Sequence, residues 1–247
     1  MKAVLLSAGK GTRMFPLTAN TPKCLIDIGQ GKTVLESQLD ALQETGIDSV
    51  IIVAGYRMEQ VEAKISRLDF KDLDVKVLQN PFYSTSNNIV SLWLAGLVID
   101  EPFVSINGDD VFKPAVINDL LKRDEDIVMV TDRKEEYDSD DMLIISKGDR
   151  VMAVGKDLDI EKANGESVGI IKYSNLGREL LQNQLDEMMR SEDNHQKFYL
   201  QALQRIMDSG MHVNFCDVSP NDWAEIDFHP DVNDVRAKVD SFVKKIK

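Results

Sequence analysis

Near its start the chain reads Leu6-Ser7-Ala8-Gly9-Lys10-Gly11-Thr12-Arg13-Met14, followed by Pro22-Lys23. Two closely spaced glycines let backbone N–H groups approach an anion, and Lys10, Arg13 and Lys23 supply the charge that neutralises it. Those residue types suit a polyphosphate. A glycine turn with solvated charges would also explain Gly9-Lys10-Gly11, but Arg13 and Pro22-Lys23 at these positions favour the cradle. The dinucleotide fingerprint GxGxxG is absent because Met14 stands at its third glycine. Gly31-Lys32-Thr33 is not a P-loop, since that spacing needs glycine where Ile26 stands.

Two acidic segments complete the chemistry. Asn107-Gly108-Asp109-Asp110 follows the apolar run Phe103 to Ile106. Carboxylates there would suit Mg²⁺, which takes one or two carboxylates and fills its shell with phosphate and water. A turn or helix cap is the competing use of such a pair. In Trp223-Ala224-Glu225-Ile226-Asp227 the alternation puts Trp223, Glu225 and Asp227 on one face of a short strand. The value of that face depends on Asp227 meeting Asp109 in space.

The elements that must position these residues follow from hydrophobic spacing. Ala3 to Leu6 reads as a buried strand that breaks into the glycine loop. Val34, Leu35, Leu39 and Leu42 have helical spacing that stops at Gly46, a candidate helix-ending glycine. The spacing then predicts a strand at Ser49 to Ala54, a helix carrying Met58, Val61, Ile65 and Leu68, and a strand at Val75 to Leu78. A helix from Asn87 to Leu97, a strand at Phe103 to Ile106, a helix at Val116 to Leu121 and a strand at Ile127 to Thr131 follow. Such alternation is the signature of a parallel sheet with crossover helices.

Beyond Thr131 the character changes. Asp132 to Asp141 holds eight charged residues, a composition that suits a mobile flap, and short runs at Met142 to Ile145 and Val151 to Val154 read as an antiparallel hairpin. Val168 to Tyr173 resumes a strand, Leu176 to Arg190 and Tyr199 to Met207 are expected helices, and Val213 to Val218 is a short strand. Val232 to Ile246 reads as an amphipathic helix with a basic end. The predicted fold class is α/β: a doubly wound, mixed and mostly parallel Rossmann-like sheet with a small antiparallel insertion. No repeat or low-complexity linker divides residues 1–247, so a single domain with a substrate-side subregion at about 132–175 is expected.

Composition narrows the function classes. Forty-two acidic against 29 basic residues leave a net charge of −13, which disfavours general nucleic-acid binding, because that rests on clustered Lys and Arg. No apolar run approaches the ~20 residues of a membrane span, and Met1-Lys2-Ala3-Val4 lacks a signal-peptide pattern. Cys24 and Cys216 form no CxxC pair and the three His residues are scattered, so neither a disulfide framework nor a zinc site is indicated. A soluble, cytoplasmic protein without membrane or nucleic-acid partners is expected; the sequence leaves its oligomeric state open.

The first motif resembles that of the nucleotidyltransferases that activate sugar phosphates and related phosphorylated alcohols. Val53-Ala54-Gly55-Tyr56, Asn87-Asn88-Ile89-Val90-Ser91-Leu92, Gly155-Lys156-Asp157-Leu158, Gly165-Glu166-Ser167-Val168-Gly169-Ile170 and Glu225-Ile226-Asp227 are similar to family segments too. The short length and the Asn-Asn-x-x-Ser-Leu and Trp-x-Glu-Ile-Asp segments most resemble the small cytidylyltransferases acting on phosphocholine, aminoethylphosphonate or inositol phosphate. Ser7 departs from the family's usual alanine, a small change in a loop that tolerates it.

The resemblance implies that an acceptor phosphate or phosphonate attacks the α-phosphorus of a nucleoside triphosphate, CTP being favoured, and releases pyrophosphate. Arg13 would stabilise the departing phosphates, Gly9 to Thr12 would hold them by backbone donors, and Lys23 would sit at the α-phosphate. Asp109 and Asp227 would hold Mg²⁺, with Asp110 a weaker candidate. The nucleotide site would comprise Leu6, Ala8, Gly9, Lys10, Gly11 and Thr12, with Gln79 and Asn87 reading the base; Asn87 could equally cap the following helix. Lys156, Glu166 and Trp223 would meet the acceptor, such as phosphocholine. For an amine-bearing acceptor Trp223, Tyr173, Tyr199, Asp140, Asp141 and Asp222 could supply ring faces and charge. The alternatives are a uridylyl- or thymidylyltransferase for a sugar 1-phosphate and a non-catalytic nucleotide sensor. A sensor has no use for the acidic ligands.

Overall fold

The computed structural model describes the backbone of residues 1–227 and 231–243, with side chains up to residue 238 in the second stretch. In chain order the elements begin with β1 (Lys2–Ser7), α1 (Val34–Gln43), β2 (Ser49–Ala54), α2 (Met58–Ile65), β3 (Asp74–Gln79), α3 (Asn88–Gly96), β4 (Phe103–Asn107), β5 (Asp110–Phe112) and α4 (Pro114–Leu121). They continue with β6 (Ile127–Asp132), β7 (Leu143–Lys147), β8 (Arg150–Gly155), β9 (Gly165–Tyr173), α5 (Asn175–Met188), α6 (Leu200–Asp208), β10 (Val213–Asp217), β11 (Trp223–Glu225) and α7 (Asp231–Val243).

Nine strands form one sheet in the order β3-β2-β1-β4-β9-β6-β10-β8-β7, and β7 also pairs with β9. β9 runs antiparallel between β4 and β6, and β8 antiparallel to β10 and β7; the remaining strands share one direction. This is the expected doubly wound, mixed sheet. Its apolar sequence explains why both faces are covered. In β1, Ala3 and Leu5 pack with Leu35, Leu39 and Leu42 of α1 and Ile117 and Leu120 of α4, whereas Val4 packs on the opposite face with α3, α5 and α6. A strand buried on both sides reads as a continuous apolar run, as this one does.

Local signals set most boundaries. Thr33 opens α1 with a capping box: its hydroxyl accepts from the Glu36 N–H, and the Glu36 carboxylate accepts from the Thr33 N–H. The same helix ends at Gln43 with Glu44 as its cap, short of the expected Gly46, because Thr45 closes the last turn by donating both its N–H and its hydroxyl to the Leu42 carbonyl. No left-handed glycine is then needed, and Gly46 lies in the turn beyond. Leu68 likewise falls in the turn after α2, not within that helix. The hairpin of β7 and β8 continues the edge of the main sheet. The basic end expected after α7 lies outside the described residues.

A third, smaller core sits beneath the glycine loop. Met14, Ile26, Ile28 and Val34 pack there with Val111 of β5, Ala224 and Ile226 around β11, and Val232 and Val235 of α7. Three segments far apart in sequence are thereby fixed on one another. Among the described residues, no helix is long and apolar enough to cross a membrane.

Candidate active site

The glycine loop, the turn after β2 and the turn after β4 meet at the carboxyl ends of their strands, the usual ligand side of an open α/β sheet. Close backbone approach is built in by two glycines. A Cβ on Gly108 would lie 2.7 Å from the Leu6 carbonyl oxygen and 2.8 Å from the Ser7 Cα, so only glycine lets the turn carrying Asp109 pack against the end of β1. Gly11 adopts φ 60°, where side chains are disfavoured, and its carbonyl accepts from Thr18 Oγ1 at 2.7 Å.

Asp109 and Asp227 do meet. β5 pairs antiparallel with β11, Glu225 opposite Asp110, and the Ile226 N–H donates to the Asp109 carbonyl. Oxygen atoms of Asp109, Glu225 and Asp227 lie within 4.8 Å of one another. An all-oxygen donor set of this kind fits a hard divalent cation. Glu225 is absent from the sequence-based ligand set, although the alternation in Trp-Ala-Glu-Ile-Asp places it beside Asp227. Asp110 points elsewhere: it is fully buried, both carboxyl oxygens lack a partner, and burial followed by the Asp109 charge pushes it well above the usual carboxylate range.

Two cations reach these carboxylates. Lys23 Nζ donates to Asp109 Oδ2 at 2.6 Å and to Asp227 Oδ1 at 3.1 Å. Arg13 Nη1 lies 2.5 Å from Asp227 Oδ2 and 3.7 Å from Asp140 Oδ1. Burial alone would lower the Lys23 pKa, but Asp109 and Asp227 outweigh it and hold the ammonium above its ordinary range. Lys23 is therefore a fixed positive charge. Burial also raises the Cys24 thiol to about 12, so this cavity-lining thiol is no nucleophile at neutral pH.

A cavity of about 290 Å³ opens over the glycine loop. Leu6, Ala8, Gly9, Gly11, Arg13, Lys23, Asn87 and Asp109 of the predicted set line it. Asn87 both lines it and caps α3, its Oδ1 accepting from the Asn88 N–H at 2.7 Å. Lys10, Thr12 and Gln79 are not among the lining residues: Lys10 lies 5.9 Å from the Tyr83 ring centroid, and Gln79 is exposed at the end of β3. Its neighbour Asn80 lines the cavity instead, donating to Ser91 Oγ and accepting from the Phe82 N–H. The alternation of β3 does not distinguish the two, because it groups Gln79 with Val75 and Val77, and Asn80 lies one residue past the strand.

A second cavity of about 390 Å³ shares Met142 and Ser167 with the first and contains Glu166, Trp223, Asp140 and Asp141. Lys156 lines neither cavity and lies 5.6 Å from the Phe198 ring centroid. Tyr173 is fully buried and stacks on Phe103 at 4.8 Å between centroids, so it serves the core rather than a ligand face. Tyr199 is buried but borders the first cavity. Asp222 is engaged with Lys113 at 2.5 Å, away from both cavities.

The model of the MobA-like NTP transferase domain matches residues 3–204. The choline-phosphate cytidylyltransferase of Streptococcus pneumoniae is 32% identical over 161 residues, 62% of this chain and 68% of that protein. A UTP–glucose-1-phosphate uridylyltransferase of Haloferax volcanii is 32% identical over 142 residues, 57% of this chain and 56% of its own length. Among solved structures, a CTP:phosphocholine cytidylyltransferase from Streptococcus pneumoniae superposes with a TM-score of 0.81 at 25% identity, covering 96% of this chain and 98% of that one.

Proposed function

The chain belongs to the family of MobA-like NTP transferase domains and is a nucleotidyltransferase, and on that premise we propose that it transfers CMP from CTP to a small phosphate- or phosphonate-bearing acceptor with Mg²⁺. We read the described residues as one domain of that kind. The observation that carries this reading is the convergence of Lys23 and Arg13 on Asp109 and Asp227 at the rim of the glycine loop. Cations for a polyphosphate and carboxylates for a metal share one point.

The acceptor oxygen forms a bond to the α-phosphorus as the bond from that phosphorus to the β-phosphate oxygen breaks, and pyrophosphate leaves. A phosphate is already ionised near neutral pH, so no general base is required; the chain must bring two polyanions together and align them. Lys23 neutralises charge that builds at the α-phosphate. Arg13 and the backbone of Gly9 to Thr12 hold the departing phosphates, while Asn87 and Asn80 present polar groups to the base. Held by Asp109, Glu225 and Asp227, Mg²⁺ would supply Lewis-acid neutralisation at the same phosphate. The second cavity, beside Glu225 and Asp227, is the acceptor's place.

Preference for CTP is supported by the cytidylyltransferase likeness along nearly the whole chain. Pyrophosphate release measured with CTP, UTP, dTTP, ATP and GTP against phosphocholine, phosphoethanolamine, aminoethylphosphonate, inositol phosphate and sugar 1-phosphates tests it. CTP is expected to give the highest turnover with one acceptor class. Release with UTP or dTTP and a sugar 1-phosphate only would replace this reading with its uridylyl- or thymidylyltransferase alternative.

A further inference from the structure

An acceptor placed in the second cavity brings a phosphate into acidic surroundings. Seven carboxylates other than Glu225 and Asp227 line that cavity among the described residues. Its two ammonium groups are engaged: Lys134 donates to Glu166 and Asp141 at 2.6 and 3.0 Å, and Lys238 donates to the carbonyls of Pro220 and Trp223, each at 3.1 Å. Lys156, expected to meet the acceptor, lines neither cavity. Lys23 and Arg13 serve the triphosphate. The donors for the acceptor's reactive end must therefore come from the place where the two cavities adjoin.

The ends of β4 and β9 build that place. Ser167 lines both cavities, and its Oγ accepts from the Gly169 N–H at 3.3 Å, which leaves the hydroxyl proton for another acceptor. Asn107 closes β4 one residue beyond the pairing of Ile106 with Ile170, and it lines the first cavity two residues before Asp109. Its side chain lies against Gly169. A Cβ there would fall 2.1 Å from Asn107 Nδ2 and 2.5 Å from its Cγ, so only glycine leaves the amide its position. Gln38 Nε2 holds the backbone beneath by donating to the carbonyls of Asn107 and Asp110, both at 2.8 Å. The amide oxygen of Asn107 is enclosed, while Nδ2 is accessible and donates to no other described residue. Two neutral donors thus flank Gly169 between the glycine loop and the second cavity.

We propose that Asn107 Nδ2 and Ser167 Oγ together receive the acceptor's phosphate or phosphonate group and turn one of its oxygens toward the α-phosphorus. This rests on the nucleotidyl-transfer reading above and deepens it by assigning the residues that hold the acceptor's reactive end. That oxygen forms the new bond to the α-phosphorus as pyrophosphate leaves with the electron pair of the bond that breaks. Neutral donors suit the task. An amide or hydroxyl orients an anion without giving it a proton, so the attacking oxygen keeps its charge and gains alignment.

The test uses CTP and Mg²⁺ with phosphocholine, phosphoethanolamine, aminoethylphosphonate and glucose 1-phosphate as acceptors, and the variants Asn107→Leu and Ser167→Ala. Leucine keeps the shape that Gly169 accommodates and removes the donor. Each variant is expected to lower kcat/KM for whichever acceptor the parent protein uses by about 10- to 100-fold, the loss of one hydrogen bond to a charged group. The Kd for CTP with Mg²⁺, measured by calorimetry without acceptor, should match that of the parent. Asn107→Asp, of the same shape but with a negative charge in place of the donor, should fall further than Asn107→Leu, and it carries the test should the leucine variant fail to fold. An unchanged kcat/KM for the acceptor in either folded variant would overturn the proposal. So would a loss of CTP affinity as large as the loss of acceptor efficiency, which would give these donors to the nucleotide and leave nucleotidyl transfer intact. Silence of the parent protein with all four acceptors would remove both readings.

Discussion

Lys23→Met is expected to lower kcat by about 10²- to 10³-fold, the loss seen when one preorganised charge-stabilising donor is removed from a water-poor site. The expectation follows from where Lys23 sits. Its ammonium is held between Asp109 and Asp227 at 2.6 and 3.1 Å, so it is already oriented before any nucleotide arrives. Methionine keeps much of the length and apolar stem while removing the charge. It also leaves two carboxylates facing each other with one less cation, so the metal-free variant should melt at a lower temperature than the parent protein. Added Mg²⁺ should narrow that difference, because a divalent cation replaces the missing charge. Stopped-time pyrophosphate assays and thermal melts with and without Mg²⁺ check both statements. A variant with near-normal kcat would remove Lys23 from the chemistry, and equal melting temperatures would show that its ion pairs contribute nothing.

Asp109→Asn should be at least as damaging, and by a different route. Asparagine preserves the shape beside Gly108, where the backbone lies 2.7 to 2.8 Å from an added Cβ, but it removes one of the three carboxylates of the cluster. Loss of a charged ligand weakens a divalent cation far more than it disturbs packing. The expected outcome is a fall of about 10²-fold or more in affinity for Mn²⁺ in the presence of CTP, read by electron paramagnetic resonance, with turnover falling alongside. Asp110→Asn is the informative control, since Asp110 faces inward and lies outside the cluster. Its Mn²⁺ affinity should stay close to that of the parent. If Asp109→Asn bound Mn²⁺ normally, the acidic cluster would not be the metal site.

Local patterns made much of this legible. The apolar run of β1, the helical spacing of α1 and the glycine loop between them are written in consecutive residues, so the cradle is visible without a structure. The meeting of Asp109 with Asp227 is not, because it depends on β5 and β11, two strands of three residues each that carry almost no periodic signal. Their pairing is what brings Glu225 into the cluster. Side-chain direction is equally hidden in the sequence. Gln79 and Asn80 are equally polar, yet Asn80, one residue past β3, lines the cavity through its bonds to Ser91 and Phe82, while Gln79 is exposed. The residue type of Tyr173 suits a ligand face, but burial in β9 against Phe103 gives it a packing role instead. Lys156 reaches an aromatic ring rather than the acceptor cavity, a long-range contact that a lysine in a glycine turn does not announce.

The central claim, nucleotidyl rather than phosphoryl transfer or hydrolysis, is tested most directly by following label from CTP. With phosphorus-32 at the α-position and an amine-bearing phosphate as acceptor, the label should enter a product containing both CMP and acceptor; with the label at the γ-position it should appear in pyrophosphate. Label passing from the γ-position to the acceptor, or α-label ending in free CMP with the acceptor untouched, would contradict the account.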